Sequence, residues 1–249
     1  MSGLARPARF LVLLLAFAPA CVFAEPLQAA VASNFRPVME RLADAFEARS
    51  GHSIVSSYGS SGKHYAQIVN GAPFDVFLAA DSERPRRLEV EGHAIAGSRL
   101  TYAIGKLVLW SPDAGLIADA AVLEHGKFRF IAIANPATAP YGLAARQTLE
   151  ALGVWDALQP RLAKAENVGQ AYAFVRSGNA DLGFVALSQL ASDVASPTGS
   201  QWLVPAELHQ PIAQQAVLLR DSSAGRSFLE FLAGDEARAL IRSLGYDLP

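Results

Sequence analysis

Cysteine is almost absent: the 249-residue chain has one, Cys21. A single thiol pairs with nothing inside the chain, which excludes a disulfide-stapled scaffold. Charge is scarce and balanced, with 21 Lys and Arg against 23 Asp and Glu. No Lys/Arg run occurs, so the electrostatic footprint of a nucleic-acid partner is missing. A net charge of −2 beside 51% apolar residues also excludes intrinsic disorder. The five His (His52, His64, His93, His125 and His209) never stand three or four residues apart. With no Cys beyond position 21, no zinc pattern remains. No Ser/His/Asp set assembles without arbitrary choices. Beyond residue 24, no run approaches the 18 uncharged apolar residues of a membrane span. The length suits one large domain or two small lobes.

What is present begins with a leader. Arg6 and Arg9 form a basic front, Phe10 to Ala18 is nearly all apolar, and Pro19 breaks the run before small residues. This is the layout of a secretory signal peptide over 1–24, with cleavage expected after Ala24. The alternative of lipid anchoring at Cys21 is weaker, because Ala18-Pro19-Ala20 lacks the Leu usual three residues before an acylated Cys. Cleavage after Ala24 leaves 19 basic against 23 acidic residues, a charge of −4, in an exported protein.

The rest alternates short strands with helices. Leu27 to Val31 reads as a strand, and Phe35 to Arg49 as an amphipathic helix whose N-cap position falls at Ser33 or Asn34. Ser53 to Tyr58 is a strand, Lys63 to Asn70 a helix, and Phe74 to Ala79 a strand. The middle repeats the pattern: strands at Lys106 to Trp110, Phe128 to Ile133 and Ala180 to Val185, the last followed by Ser188 to Ser192, with a helix from about Leu143 to Leu152 and an amphipathic stretch at Gly169 to Arg176. A strand at Gln214 to Leu219 and helices at Ser223 to Leu232 and Asp235 to Ser243 close the chain. This order predicts an α/β fold of mostly parallel sheets flanked by helices, in two lobes of similar build. In such sheets a ligand binds beyond the carboxyl ends of the strands.

Four strand-to-helix junctions fall on that edge. Gly59-Ser60-Ser61-Gly62-Lys63 offers free backbone N–H groups, two hydroxyls and the positive end of a helix, which together suit an anion. It is no Walker A loop, since Ser57 and His64 stand where Gly and Ser/Thr are needed. It is no nucleophile elbow, since Lys63 stands where GxSxG needs Gly. Ser33-Asn34, Tyr141-Gly142 and the backbone at Val168 are the other three. Each alone is equally an ordinary helix cap. Asp75 and Asp81 read as turn and cap residues rather than a catalytic pair. The junctions carry no carboxylate, and their one charge is Lys63 at the margin. A protonated oxyanion needs an acceptor for its proton, whereas a fully deprotonated one needs donors only.

The segments AVASNF (30–35), SSYGSSGKHYAQIVNGAPFDVFLAAD (56–81), NPATAPYGLAARQTLEALGVWDAL (135–158), AENVGQAYAFVRSGNADLGFV (165–185) and FLAGDEARALIRSLGY (231–246) occur in an order that resembles the periplasmic molybdate-binding proteins of ABC importers. That resemblance implies a two-lobed type II periplasmic binding protein fold joined by two crossover strands, near Leu100 to Lys106 and Pro211 to Ala216. One lobe would hold 25–103 and 214–249, the other 104–213. It implies molybdate or tungstate as ligand, no cofactor or bare metal ion, no catalysis, a membrane permease as partner, a monomer, and a periplasmic location. It carries the oxyanion contacts to Ser33, Asn34, Ser61, Tyr141 and Val168. One departure stands out: Ala186 follows Gly183-Phe184-Val185 where many members have a ligand-reaching Tyr. The rival readings are a binding protein for sulfate or phosphate, an exported hydrolase using Ser61 and His64, and a sensor ectodomain.

Overall fold

The structure is a computed structural model, described here for residues 25–192 and 199–249. The expected leader at 1–24, with Cys21, lies outside the described residues. In chain order the elements are β1 (Leu27–Ala32), α1 (Arg36–Ser50), β2 (Ile54–Gly59), α2 (Ser61–Val69), β3 (Val76–Ala79), α3 (Glu83–Val90), β4 (Leu100–Gly105) and β5 (Leu107–Ser111). Then follow α4 (Val122–His125), β6 (Ile131–Ala134), α5 (Pro140–Ala151), α6 (Trp155–Leu158), β7 (Leu162–Ala165), α7 (Val168–Arg176), β8 (Leu182–Ala186) and α8 (Leu187–Ser192). The last are β9 (Ser200–Leu203), β10 (Ile212–Leu218), α9 (Ser223–Ala233) and α10 (Asp235–Ser243).

The strands form two five-stranded sheets of the same plan, β2-β1-β3-β10-β4 and β7-β6-β8-β5-β9. In each, three parallel strands are followed by one antiparallel strand in the fourth place. Those fourth strands are the ones that enter from the other sheet. Lys106 alone separates β4 from β5, and the chain returns between β9 and β10. β1, β3, β6 and β8 are buried runs such as VFLA and IAIA, as expected of strands covered by helices on both faces.

α1, α9 and α10 pack on one face of the first sheet, through Leu42, Phe46, Phe228 and Ile241. Leu88 of α3 and Ile68 of α2 pack on the other. α7 covers one face of the second sheet through Ala171 and Val175. Ala32 and Ile212 of the first sheet, and Ala80 just past β3, share one buried cluster with Leu109, Ile133 and Tyr141 of the second half, so the two halves are in contact.

Departures from the expected elements have local causes. α5 begins at Pro140 rather than near Leu143, because proline at the first helical position is already set at a helical φ and lacks only an N–H that would be unpaired there. α2 begins at Ser61, capped by Ser60, whose side chain accepts from the Lys63 amide at 3.3 Å. β7 (LAKA) and β9 (SQWL) are half-exposed edge strands with little apolar alternation, and α3 (ERPRRLEV) buries only Pro85 and Leu88. Neither pattern stands out against polar loop sequence. The expected cap at Ser33 or Asn34 is corrected: both lie inside a 3-10 turn, Ser33–Phe35, and Phe35 precedes α1 without a side-chain cap. Their side chains are thereby released for other partners.

Gly183 sets how closely α7 lies on the second sheet. A Cβ there would stand 2.7 Å from Val175 Cγ2 and 2.9 Å from Ala132. Gly183→Ala is expected to destabilise by about 1–3 kcal/mol through overpacking. Thermal unfolding should register this as a fall on the order of 3–10 °C.

Candidate functional site

Each of the six parallel strands ends on Ala or Gly: Ala32, Gly59, Ala79, Ala134, Ala165 and Ala186. Small residues there let the following turns approach the opposite sheet. The carboxyl edges of the two sheets face each other across one small cavity of about 10 Å³. That lies below the roughly 300–1,000 Å³ of pockets built for organic ligands. Ser33, Asn34, Ser61, Tyr141 and Val168 all line it, together with Ser60, Pro140 and Asn167. The wall contains no charged residue. Ala186 does not reach it; it is buried in the core and its amide donates to Gln189 Oε1 at 2.9 Å.

Local sequence explains how each group is aimed. Ser61 opens α2, and its Oγ accepts from the Ala80 amide at 2.9 Å, which pins the helix start to the end of β3. Ser33 Oγ accepts from the Gly169 amide at 3.2 Å, a bond across the two halves. A hydroxyl whose acceptor side faces a backbone N–H has its one proton left to give. Both serines therefore present donors to the cavity.

Val168 begins α7 behind Asn167, whose Oδ1 accepts from the Gln170 amide at 3.0 Å. Tyr141 follows Pro140 in the first turn of α5. Among the described residues, the amides of Ser61, Tyr141 and Val168 find no protein acceptor. These are the unpaired first-turn N–H groups that make helix N-termini attractive to anions. The positive ends of α2, α5 and α7 thus converge on the cavity from both sheets.

Two side chains face elsewhere. Both amide hydrogens of Asn34 are taken, by Gln214 Oε1 and Tyr246 Oη, each at 2.9 Å. The Tyr141 hydroxyl turns to Gln214 Nε2 at 3.4 Å and is fully buried, which pushes its ionisation far above the usual phenol range. What Asn34 and Tyr141 can offer the cavity is backbone. This set of partners sequence reasoning missed, because Gln214 and Tyr246 lie 180 and 212 residues from Asn34 in the chain.

His64 is no general base for Ser61. Its Nε2 faces the Val31 carbonyl at 3.2 Å and its Nδ1 faces Gln67 Oε1 at 3.1 Å. Burial holds its pKa below the ordinary histidine value, so the ring is neutral. Asp81 accepts from the Arg84 amide at 2.8 Å and pairs with its guanidinium at 2.7 Å; Asp75 accepts from the Gln28 amide at 2.7 Å. Among the described residues, no cluster of three or more His, Cys, Asp or Glu could hold a metal ion.

A cavity that offers donors, no carboxylate and no cation suits a small, fully deprotonated oxyanion. Each hydrogen bond to it is charge-assisted and stronger than a neutral one. The halves meet around it through the Gly62 amide, which donates to the Thr138 carbonyl at 2.8 Å, and through Lys63 and Glu166, paired at 3.4 Å near the rim.

The family of bacterial extracellular solute-binding proteins matches residues 27–247. The "Molybdate-binding protein ModA" of Azotobacter vinelandii is 48% identical over 229 residues, 90% of this chain and 91% of that protein. The protein of the same name from Rhodobacter capsulatus is 43% identical, covering 88% of this chain and 86% of its own. The solved structure of the Azotobacter vinelandii periplasmic molybdate-binding protein is similar with a TM-score of 0.86 at 47% identity, covering 90% of this chain and 99% of that one. The sulfate-binding protein SubI from Mycobacterium tuberculosis H37Rv shares the fold, with a TM-score of 0.74 at 16% identity over 90% of this chain and 87% of its own.

Two outcomes follow from α2 beside the cavity. His64 is neutral in the fold and protonates near pH 6.5 when unfolded, so its depressed pKa supports stability above that pH and loses it as pH falls below. The urea midpoint should decline between pH 7.5 and 5, and His64→Gln should flatten part of that decline. A Cβ on Gly62 would stand 2.8 Å from the Thr138 carbonyl oxygen. Gly62→Ala, harmless to α2 itself, should weaken anion binding while leaving the anion-free melting temperature unchanged or slightly higher.

Proposed function

The chain belongs to the bacterial extracellular solute-binding proteins, beside the molybdate-binding proteins just described, and we propose from that premise that it captures molybdate between its two halves and delivers it to the membrane permease of an ABC importer. The observation that carries this reading is the cavity itself: five residues from four helix starts meet at one point, and every group they present is neutral. A dianion is then held by Ser33 and Ser61 hydroxyls and by the amides of Ser61, Tyr141 and Val168. Asn34 contributes through its backbone.

Capture proceeds by closure. The two sheets with their helices move as lobes about Lys106 and the return segment 204–211, a hinge mode suited to such proteins. Tungstate, of the same shape and charge, is accepted as well. Hydrogen phosphate is disfavoured because its proton meets no carboxylate on the wall. Sulfate is refused by size: a smaller anion leaves donors unpaired, at about 1–3 kcal/mol each. The protein works as a periplasmic monomer after removal of its leader, uses no cofactor, and performs no catalysis.

The test is a thermal-shift series with molybdate, tungstate, sulfate and phosphate at equal concentration. Molybdate and tungstate, at about 1,000 times the dissociation constant, should stabilise by roughly 4 kcal/mol. That is on the order of a 10 °C rise for a chain of this length. A rise for sulfate or phosphate alone would overturn the ligand assignment. Ser33→Ala and Ser61→Ala each remove a hydrogen bond to a charged group, about 1.5–3 kcal/mol, and should raise the dissociation constant by roughly 10- to 150-fold in a calorimetric titration.

A further inference from the structure

Directly beneath the cavity lies a second polar cluster, sealed from solvent. Gln214 Oε1 accepts from Asn34 Nδ2 at 2.9 Å and from the Tyr102 hydroxyl at 3.1 Å, while Gln214 Nε2 donates to the Tyr141 hydroxyl at 3.4 Å. Tyr246 Oη accepts from Asn34 Nδ2 at 2.9 Å and stands 2.9 Å from Ser188 Oγ. Ser188 donates to the Asn34 carbonyl at 3.0 Å. All six residues are buried. Burial also holds the Tyr246 phenol at about 12, so it remains an un-ionised donor and acceptor at any working pH.

The placement of the six gives the cluster its meaning. Tyr102 and Gln214 lie on β4 and β10, the strands through which the chain leaves and re-enters the first sheet. Tyr246 is held against β4 by the backbone pairing of Asp247 with Ile104. Ser188 and Tyr141 come from α8 and α5 of the other half. Asn34 joins the two sets and lines the cavity, whereas Gln214 and Tyr246 do not touch it.

We infer that Gln214 and Tyr246 are positioning residues for anion capture: they hold Asn34 in the cavity wall and fasten it to Ser188 and Tyr141, and so set the stability of the closed form. This rests on the reading of capture by closure. In the closed form, loss of the Tyr246 hydroxyl leaves one Asn34 amide hydrogen without its acceptor and the Ser188 oxygen without the donor it faces, in a place closed to water. When the lobes part, water reaches the same groups and no penalty remains. A change that weakens only one of two states shifts their balance, and apparent affinity follows the closed fraction.

The experiment compares wild type, Tyr246→Phe and Ser188→Ala by equilibrium titration and stopped-flow dissociation, with molybdate and with tungstate. Tyr246→Phe is expected to raise the dissociation constant on the order of tenfold. The increase should appear in the off-rate with the on-rate unchanged, and by the same factor for both anions. Ser188→Ala, from the opposite lobe, should show the same signature, and the double variant should lose less than the product of the two. A merely structural role would lower the anion-free melting temperature and leave the off-rate alone; that result overturns the inference. A changed molybdate-to-tungstate ratio overturns it too, since it would mean direct contact with the ligand. Should Tyr246→Phe fail to fold, Ser188→Ala carries the same test. If wild type binds neither anion, the capture reading itself falls; if wild type binds and the variants match it, only this inference falls.

Discussion

A dianion stripped of water must be given back hydrogen bonds, and everything about this fold answers that demand without using a cation. The donors are main-chain amides at helix starts and two hydroxyls whose acceptor sides are already occupied, Ser33 by the Gly169 amide and Ser61 by the Ala80 amide. Helix N-termini supply such amides, with the favourable end of the macrodipole, wherever a strand turns into a helix. One sheet supplies too few of them on one side of a ligand. Two sheets of the same strand plan, set edge to edge, surround it. The wall also holds no carboxylate, the strongest acceptor for the proton of a protonated anion.

Close approach is the geometric condition for this arrangement, and small residues meet it. Ala or Gly at every parallel strand end keeps side chains out of the space between the sheets. Gly62 lets α2 pass against the Thr138 backbone, and Gly142 lets α5 lie on the end of β6, where a Cβ would stand 2.3 Å from the Ala134 carbonyl oxygen. The cluster of Asn34, Gln214 and Tyr246 beneath the cavity adds a polar link between the crossover strands and the cavity wall. Polar groups sealed in this way favour whichever state satisfies them all.

Much of this was legible in the chain. The β-α-β order and the strand-to-helix junctions at Gly59 to Lys63 and at Val168 are local signals, whereas α5 opens at Pro140, before the start expected near Leu143. The edge strands β7 and β9 and the charged helix α3 escaped because they bury little and so carry little periodicity. Ser33 and Asn34 misled as a cap because Ser and Asn favour that position in general, whereas here a 3-10 turn takes them past it.

The amino-acid sequence by itself determined where strands give way to helices, that those junctions are neutral and rich in donors, and that the chain resembles a family of oxyanion carriers. These are properties of neighbouring residues, governed by backbone geometry within a few positions. Only the tertiary structure decided which junctions meet, that the Asn34 amide and the Tyr141 hydroxyl turn away from the cavity, and that Gln214 and Tyr246 hold them there. A side chain's hydrogen-bond partner is chosen by distance in space after burial, and residues 180 and 212 positions apart leave no local mark of their meeting.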